Sequence, residues 1–130
     1  MIGRRTFMRS ASVLPIAVGA ALSRPSPATA AERRLAVAAD RLTALQAYAD
    51  RHAAGAALDF VDPYTLAVAE IDLVAAGMAG LPADTMGGVL LKLRAMQVPI
   101  VADDDEAHGL ALSICRDLRR LQATGALAHV

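Results

Sequence analysis

Asp103-Asp104-Asp105-Glu106, with His108 just beyond, is the densest set of side chains in this chain that could bind a cation or move a proton. A calcium loop alternates its acids with other residues, carries a glycine at the sharp turn and ends in a bidentate glutamate. Here the acids are consecutive and that spacing is missing, so the run reads as a helix start with solvated carboxylates. His52, His108 and His129 lie far apart, and no His-x3-His pair gives the spacing by which one helix face holds zinc. Ser113, Cys115 and the threonines are the available nucleophiles, and each would need a distant histidine. No nucleophile elbow, zinc-protease or dinucleotide fingerprint surrounds them. Gly87-Gly88 has neither a preceding strand nor a Gly-Lys-Ser/Thr tail, so it reads as close helix packing rather than a phosphate loop. Lys92 and Arg94 read as charges solvating the outer face of a helix. Cys115, the single cysteine, falls among Leu112, Ile114 and Leu118 and reads as a small buried hydrophobe, with an intermolecular disulfide as the alternative. The residues assign no catalytic, cofactor-binding or metal site.

The elements that would carry these residues are helical. Leu35, Ala38, Leu42, Leu45, Ala49 and His52 recur at three- and four-residue steps, one apolar stripe along a helix from Glu32 to about His52. Asp62-Pro63 starts a second helix, since aspartate caps free N–H groups and proline suits the first helical position. Leu66, Ala69, Ile71, Leu73, Val74 and Met78 give it a broad apolar surface before Gly77 and Gly80 weaken its end. After Leu81-Pro82-Ala83, Asp84 or Thr85 caps a third helix reaching about Gln97, with Met86, Val89, Leu90, Leu93 and Met96 as its apolar positions. Val98-Pro99 ends it and Ile100-Val101 reads as extended. A fourth helix spans about Asp104 to Thr124, acids in its first turn and arginines in its later ones, the order that the helix dipole favours. Gly125 is its stop.

Residues 1–30 differ in character from all of this. They contain Arg4, Arg5, Arg9 and Arg24 and no acid. Ser10 to Ser23 is a mildly apolar stretch broken by Pro15; Arg24-Pro25-Ser26-Pro27 and Ala28-Thr29-Ala30 follow, ahead of Ala31. Basic region, apolar region and an Ala-x-Ala exit, in that order, make a secretory signal. The apolar stretch is too short for a membrane span, which takes roughly 20 residues. Gly3-Arg4-Arg5-Thr6-Phe7-Met8-Arg9 resembles the twin-arginine leader motif, with Arg4, Arg5 and Phe7 matching directly. That resemblance implies export of an already folded chain through the twin-arginine machinery. Ala28, Ala30 and Ala31 are then the residues that a signal peptidase would recognise, the leader being 1–30 and the exported domain 31–130.

Without the leader the charge balance changes. The chain has 13 basic and 13 acidic residues, but residues 31–130 keep nine basic against 13 acidic, a formal charge of −4. Binding to nucleic acid rests on neutralising phosphates with Lys and Arg, and is disfavoured. Attachment to an anionic membrane surface is disfavoured for the same reason. Tyr48, Phe60 and Tyr64 are the only aromatics of residues 31–130, so the core must be built from aliphatic side chains and alanine. Helices can then approach closely while each contact buries little area, and self-association would help so small a domain.

Leu81-Pro82-Ala83-Asp84-Thr85-Met86-Gly87-Gly88-Val89-Leu90-Leu91-Lys92-Leu93-Arg94 resembles the central motif of small uncharacterised alphaproteobacterial helical proteins, roughly Pro-Ala-x-Thr-Leu-x-Gly-x-x-x-Lys-x-Arg. Met86 replaces the usual leucine. Ser113-Ile114-Cys115-Arg116-Asp117-Leu118 is similar to their closing helix, and members often begin with a twin-arginine leader. The resemblance implies an all-α fold and no established activity. The expected molecule is an all-α domain of about four helices in antiparallel hairpins, exported to the periplasm and completed there by a homodimer or a periplasmic protein partner. Its expected role is non-enzymatic, by interaction or structure. The alternative is a periplasmic binder of a metal or small ligand that uses the acidic run and His108.

Overall fold

The computed structural model describes residues 27–53 and 62–125. All regular structure among them is helical: α1 (Ala30–His52), α2 (Pro63–Gly80), α3 (Met86–Met96), α4 (Pro99–Ala102) and α5 (Asp105–Ala123). No helix among these residues is long and apolar enough to cross a membrane.

Each long helix begins on a side chain that satisfies the free N–H groups of its first turn. Thr29 accepts from the Glu32 N–H at 3.0 Å, Asp62 from the Thr65 N–H at 2.9 Å, Thr85 from the Gly88 N–H at 3.1 Å, and Asp104 from the Asp105 N–H at 2.7 Å. Pro63 occupies the first turn of α2, as Asp62-Pro63 foretold. After α5, Gly125 adopts φ of 79°, a left-handed conformation that costs glycine little. Ile100 and Val101 are not extended. They belong to the short helix α4, whose Ile100 N–H is met by Gln46 Oε1 of α1 at 2.9 Å. That acceptor lies 54 residues upstream, so the local sequence carries no sign of it.

The four long helices form a ring in which α1 contacts α2 and α3, and α5 contacts the same two from the other side. Arg41 meets Glu70, and Ala38 lies in one groove with Val74, so α1 and α2 run antiparallel. Lys92 meets Asp117 while Arg120 reaches back to Ala83, so α3 and α5 also run antiparallel. These are the two expected hairpins. The contacts that join them place α1 and α3 side by side and parallel, with Glu32 near Thr85 and Asp40 near Arg94. Two positive helix ends therefore lie together.

The core is aliphatic. Leu35, Ala39, Leu42 and Leu45 of α1 pack with Ile71, Ala75 and Met78 of α2, Val89 and Ala95 of α3, Val101 of α4, and Leu110, Ile114 and Leu121 of α5. Gly87 and Gly88 serve close packing, as expected: a Cβ on Gly88 would lie 2.9 Å from the Ala83 Cβ, and one on Gly87 2.8 Å from Glu32 Oε2.

Candidate functional site

Four places in the bundle hold side chains beyond what a core requires. The first is a buried polar cluster around Lys92, which the sequence places on an outer face. Lys92 is completely buried. Its Nζ donates to Ser113 Oγ at 2.7 Å and to Asp117 Oδ2 at 2.5 Å. Ser113 in turn donates to the Ala79 carbonyl at 2.7 Å, and Asp117 Oδ1 accepts from the Ala83 N–H at 3.2 Å and from Arg120 Nη2 at 2.8 Å. Arg120 Nη2 also reaches the Ala83 carbonyl at 2.5 Å. One network thus fastens the end of α2, the turn before α3, α3 itself and α5.

A serine beside a lysine can form a nucleophile–base pair, provided that the lysine can shed its proton and substrate can reach the serine. Here Nζ is instead held in an ion pair with Asp117, and Ser113 is 2 % exposed, closed to substrate. The arrangement is that of a clamp, in which a buried charge is paired and hydrogen-bonded. Arg94, by contrast, is on the surface as expected and pairs with Asp40 at 2.9 Å.

The second place is acidic. Asp72 of α2 faces Asp104 and Glu106 at the start of α5, and its Oδ1 is buried without a hydrogen-bond partner. Burial first, then hydrogen bonding to Asp104 and the charges of Asp104 and Glu106, push its pKa up to about 6. Asp104 caps α5 and Asp105 and Glu106 fill its first turn, the role that the sequence assigns to the run. Among the described residues, no three His, Cys, Asp or Glu side chains are placed to hold a metal ion together. His108 is exposed; His52 stacks on Tyr48 with ring centroids 4.3 Å apart, and His129 lies outside the described residues.

The third place is the junction of the parallel helices α1 and α3. Thr29 Oγ1 caps α1 and donates to Asp84 Oδ1 at 2.7 Å; Thr85 caps α3 and donates to Glu32 Oε1 at 2.7 Å. Each cap is thus tied to the neighbouring helix start. Ala28 and Ala31 are half-buried here and Ala30 is exposed in the first turn of α1. Arg4, Arg5 and Phe7 lie outside the described residues.

The fourth place is the outer face of α2. Ala67, Ile71, Ala75 and Met78 turn inward, while Leu66, Ala69, Leu73, Ala76 and Gly80 are exposed. These five follow alternating three- and four-residue steps, the heptad spacing of a helix seam. Leu66 is 56 % and Leu73 74 % exposed, and Val37 of the adjacent α1 is 71 % exposed. Cys115 belongs to another outer face: with Leu112 it is exposed on α5, not buried as expected, because Leu110, Ile114, Asp117 and Leu121 form the inward stripe.

Fold and site together define a helical bundle with an internal ionic clamp and an exposed apolar stripe on α2. Compared with known protein families, curated proteins and solved structures, the chain matches none.

Proposed function

We propose that this is a protein exported to the periplasm through the twin-arginine pathway, where it acts by association with a second copy of itself rather than by catalysis. The observation that carries the proposal is the outer face of α2. An apolar helix stripe is ordinarily covered, yet Leu66 and Leu73 stand in solvent. Two α2 helices laid antiparallel about Leu73 would set each Leu66 against the partner's Gly80 and each Leu73 against its own copy. Each Leu66 would then pack over a glycine near the ends of the pair, and the two Leu73 side chains would bury each other at its centre. A single helix pair is a modest interface, so weak, concentration-dependent self-association is expected. The leader resemblance of residues 3–9 supports the address, and that of residues 81–94 supports kinship with small alphaproteobacterial helical proteins. Signal peptidase and the twin-arginine machinery are then partners of the leader alone.

Sedimentation of the leader-free chain tests the proposal. Its weight-average mass should rise from monomer toward dimer between about 1 µM and 1 mM. Leu73→Glu, which places like charges on the two-fold axis, should hold it monomeric with its helicity intact. A wild-type chain that stays monomeric throughout this range would sink the idea.

A further inference from the structure

We propose that the folded domain seals its own processing site, so that the leader stays attached until the first turn of α1 opens. The proposal rests on the leader reading above and adds a control on its removal. Signal peptidase cuts a segment held extended, with small side chains at Ala28 and Ala30 and the scissile bond between Ala30 and Ala31. Water adds across that amide, leaving a carboxylate on Ala30 and an ammonium on Ala31.

In the folded chain those residues are not free to extend. Thr29 is extended, with φ −70° and ψ 166°, but α1 begins at Ala30, so the scissile bond lies inside its first turn. Thr29 Oγ1 accepts from the Glu32 N–H at 3.0 Å while donating to Asp84 Oδ1 at 2.7 Å. The Thr29 carbonyl accepts from the Arg33 N–H at 2.9 Å, and the Arg33 guanidinium donates to the Ala28 carbonyl. Glu32, two residues past the scissile bond, accepts from Thr85 Oγ1 at 2.7 Å, and its carboxylate packs against Gly87, where a Cβ would lie 2.8 Å from Oε2. Drawing residues 28–31 into a peptidase groove must break the cap of α1 and its ties to the start of α3 together. A twin-arginine leader delivers a chain that is already folded, so the peptidase meets this closed form first. Cutting then follows the fraction of molecules in which the turn is open.

The test uses the purified full-length chain, a synthetic peptide of residues 18–36 that lacks the ties to α3, and bacterial signal peptidase in detergent micelles. The peptide should be cut between Ala30 and Ala31, and the folded chain at least about 10-fold more slowly, as expected when cleavage needs local opening. Asp84→Ala removes the tie to Thr29, and Thr85→Asp keeps a capping side chain on α3 while setting a carboxylate against Glu32. Neither change touches the recognition residues. Each should speed cutting of the full chain by roughly 5-fold, the worth of one such hydrogen bond, with helicity by circular dichroism unchanged. A peptide that is not cut at this bond overturns the leader reading and the seal with it. A peptide that is cut no faster than the folded chain, or folded variants cut no faster than wild type, overturns the seal alone.

Discussion

Lys92 shows how a charged residue comes to be read on the wrong side of a helix. Its neighbours Leu90, Leu91 and Leu93 invite an assignment in which lysine faces water, yet Leu90 and Leu93 are the exposed ones and Lys92 is buried. The inward stripe of α3 is Gly88, Val89, Lys92 and Ala95, and that of α5 is Leu110, Ser113, Ile114, Asp117 and Leu121. Read at helical steps, each stripe carries polar residues at matching depth, and their signs pair; this was the available signal. The clamp's cost of removal follows from burial. Lys92→Met should destabilise the fold by about 3 kcal/mol or more, because it takes from the buried Asp117 the partner of its Oδ2, leaving only Arg120 and the Ala83 N–H on Oδ1. Lys92→Met with Asp117→Asn should recover part of that loss in urea titrations, since the amide removes the buried charge and keeps an acceptor for the Ala83 N–H. If the double variant is as unstable as the single one, the buried charge is not the source of the cost. Asp72 works in the opposite sense. Its pKa is raised to about 6 in the fold from an ordinary 3.8, so the folded state prefers it protonated. Its ionisation costs nothing below about pH 4, costs progressively more as the pH rises toward 6, and costs its full amount above that. Asp72→Asn should therefore raise stability at pH 7.5 by about 1 kcal/mol, a value discounted for the water that reaches this partly exposed group. At pH 4 the variant and the wild type should unfold at nearly the same urea concentration. Equal gains at both pH values would show that the carboxylate's charge is not responsible.

At the scale of elements, the caps and stops were legible because they are local. Asp62-Pro63, Thr85, Asp104 and Gly125 announce helix boundaries through chemistry that acts within one turn, and the structure places the boundaries there. What was not legible depends on partners distant in sequence. The helical turn at Pro99–Ala102 donates a hydrogen bond to Gln46, and the outward face of α2 is as apolar as its inward one, so periodicity cannot say which is covered. The glycines of α2 and α3 separate these two influences. A Cβ at Gly77 meets nothing within 4 Å, whereas one at Gly88 meets Ala83 at 2.9 Å and Leu35 at 3.2 Å. Gly77→Ala should thus stabilise the monomer by about 0.5–1 kcal/mol, the helix propensity difference. Gly88→Ala should lower stability, because Ala83 is itself completely buried and has little room to yield. The two substitutions are chemically identical, so thermal melts run side by side at low concentration isolate packing from propensity. A melting temperature lowered by both would mean that the outer surface of α2 is already occupied at that concentration.

For the molecule as a whole, the ring order α1–α2–α5–α3 makes the starts of α1 and α3 parallel neighbours, and this arrangement is most exposed to loss at its edge. Two positive helix ends side by side are unfavourable unless anionic groups lie near them. Glu32 and Asp84 are those groups, joined through Thr29 and Thr85. A chain that begins at Ala31 lacks Thr29, and with it the α1 cap and the tie to Asp84. It also carries a new ammonium at the positive end of α1, which the Glu32 and Asp84 carboxylates offset only in part. The loss of a cap and of one cross-helix hydrogen bond amounts to about 1–2 kcal/mol. In a domain of this size each kcal/mol moves the melting temperature by about 4–8 °C. Residues 31–130 should therefore melt roughly 5–15 °C below residues 27–130 in scanning calorimetry. Acetylating the Ala31 amine should recover only the part due to the ammonium, and that part should shrink as salt is added. Equal melting temperatures for the two chains would mean that α1 is held by its apolar stripe alone, and that the paired caps contribute no measurable stability to the bundle.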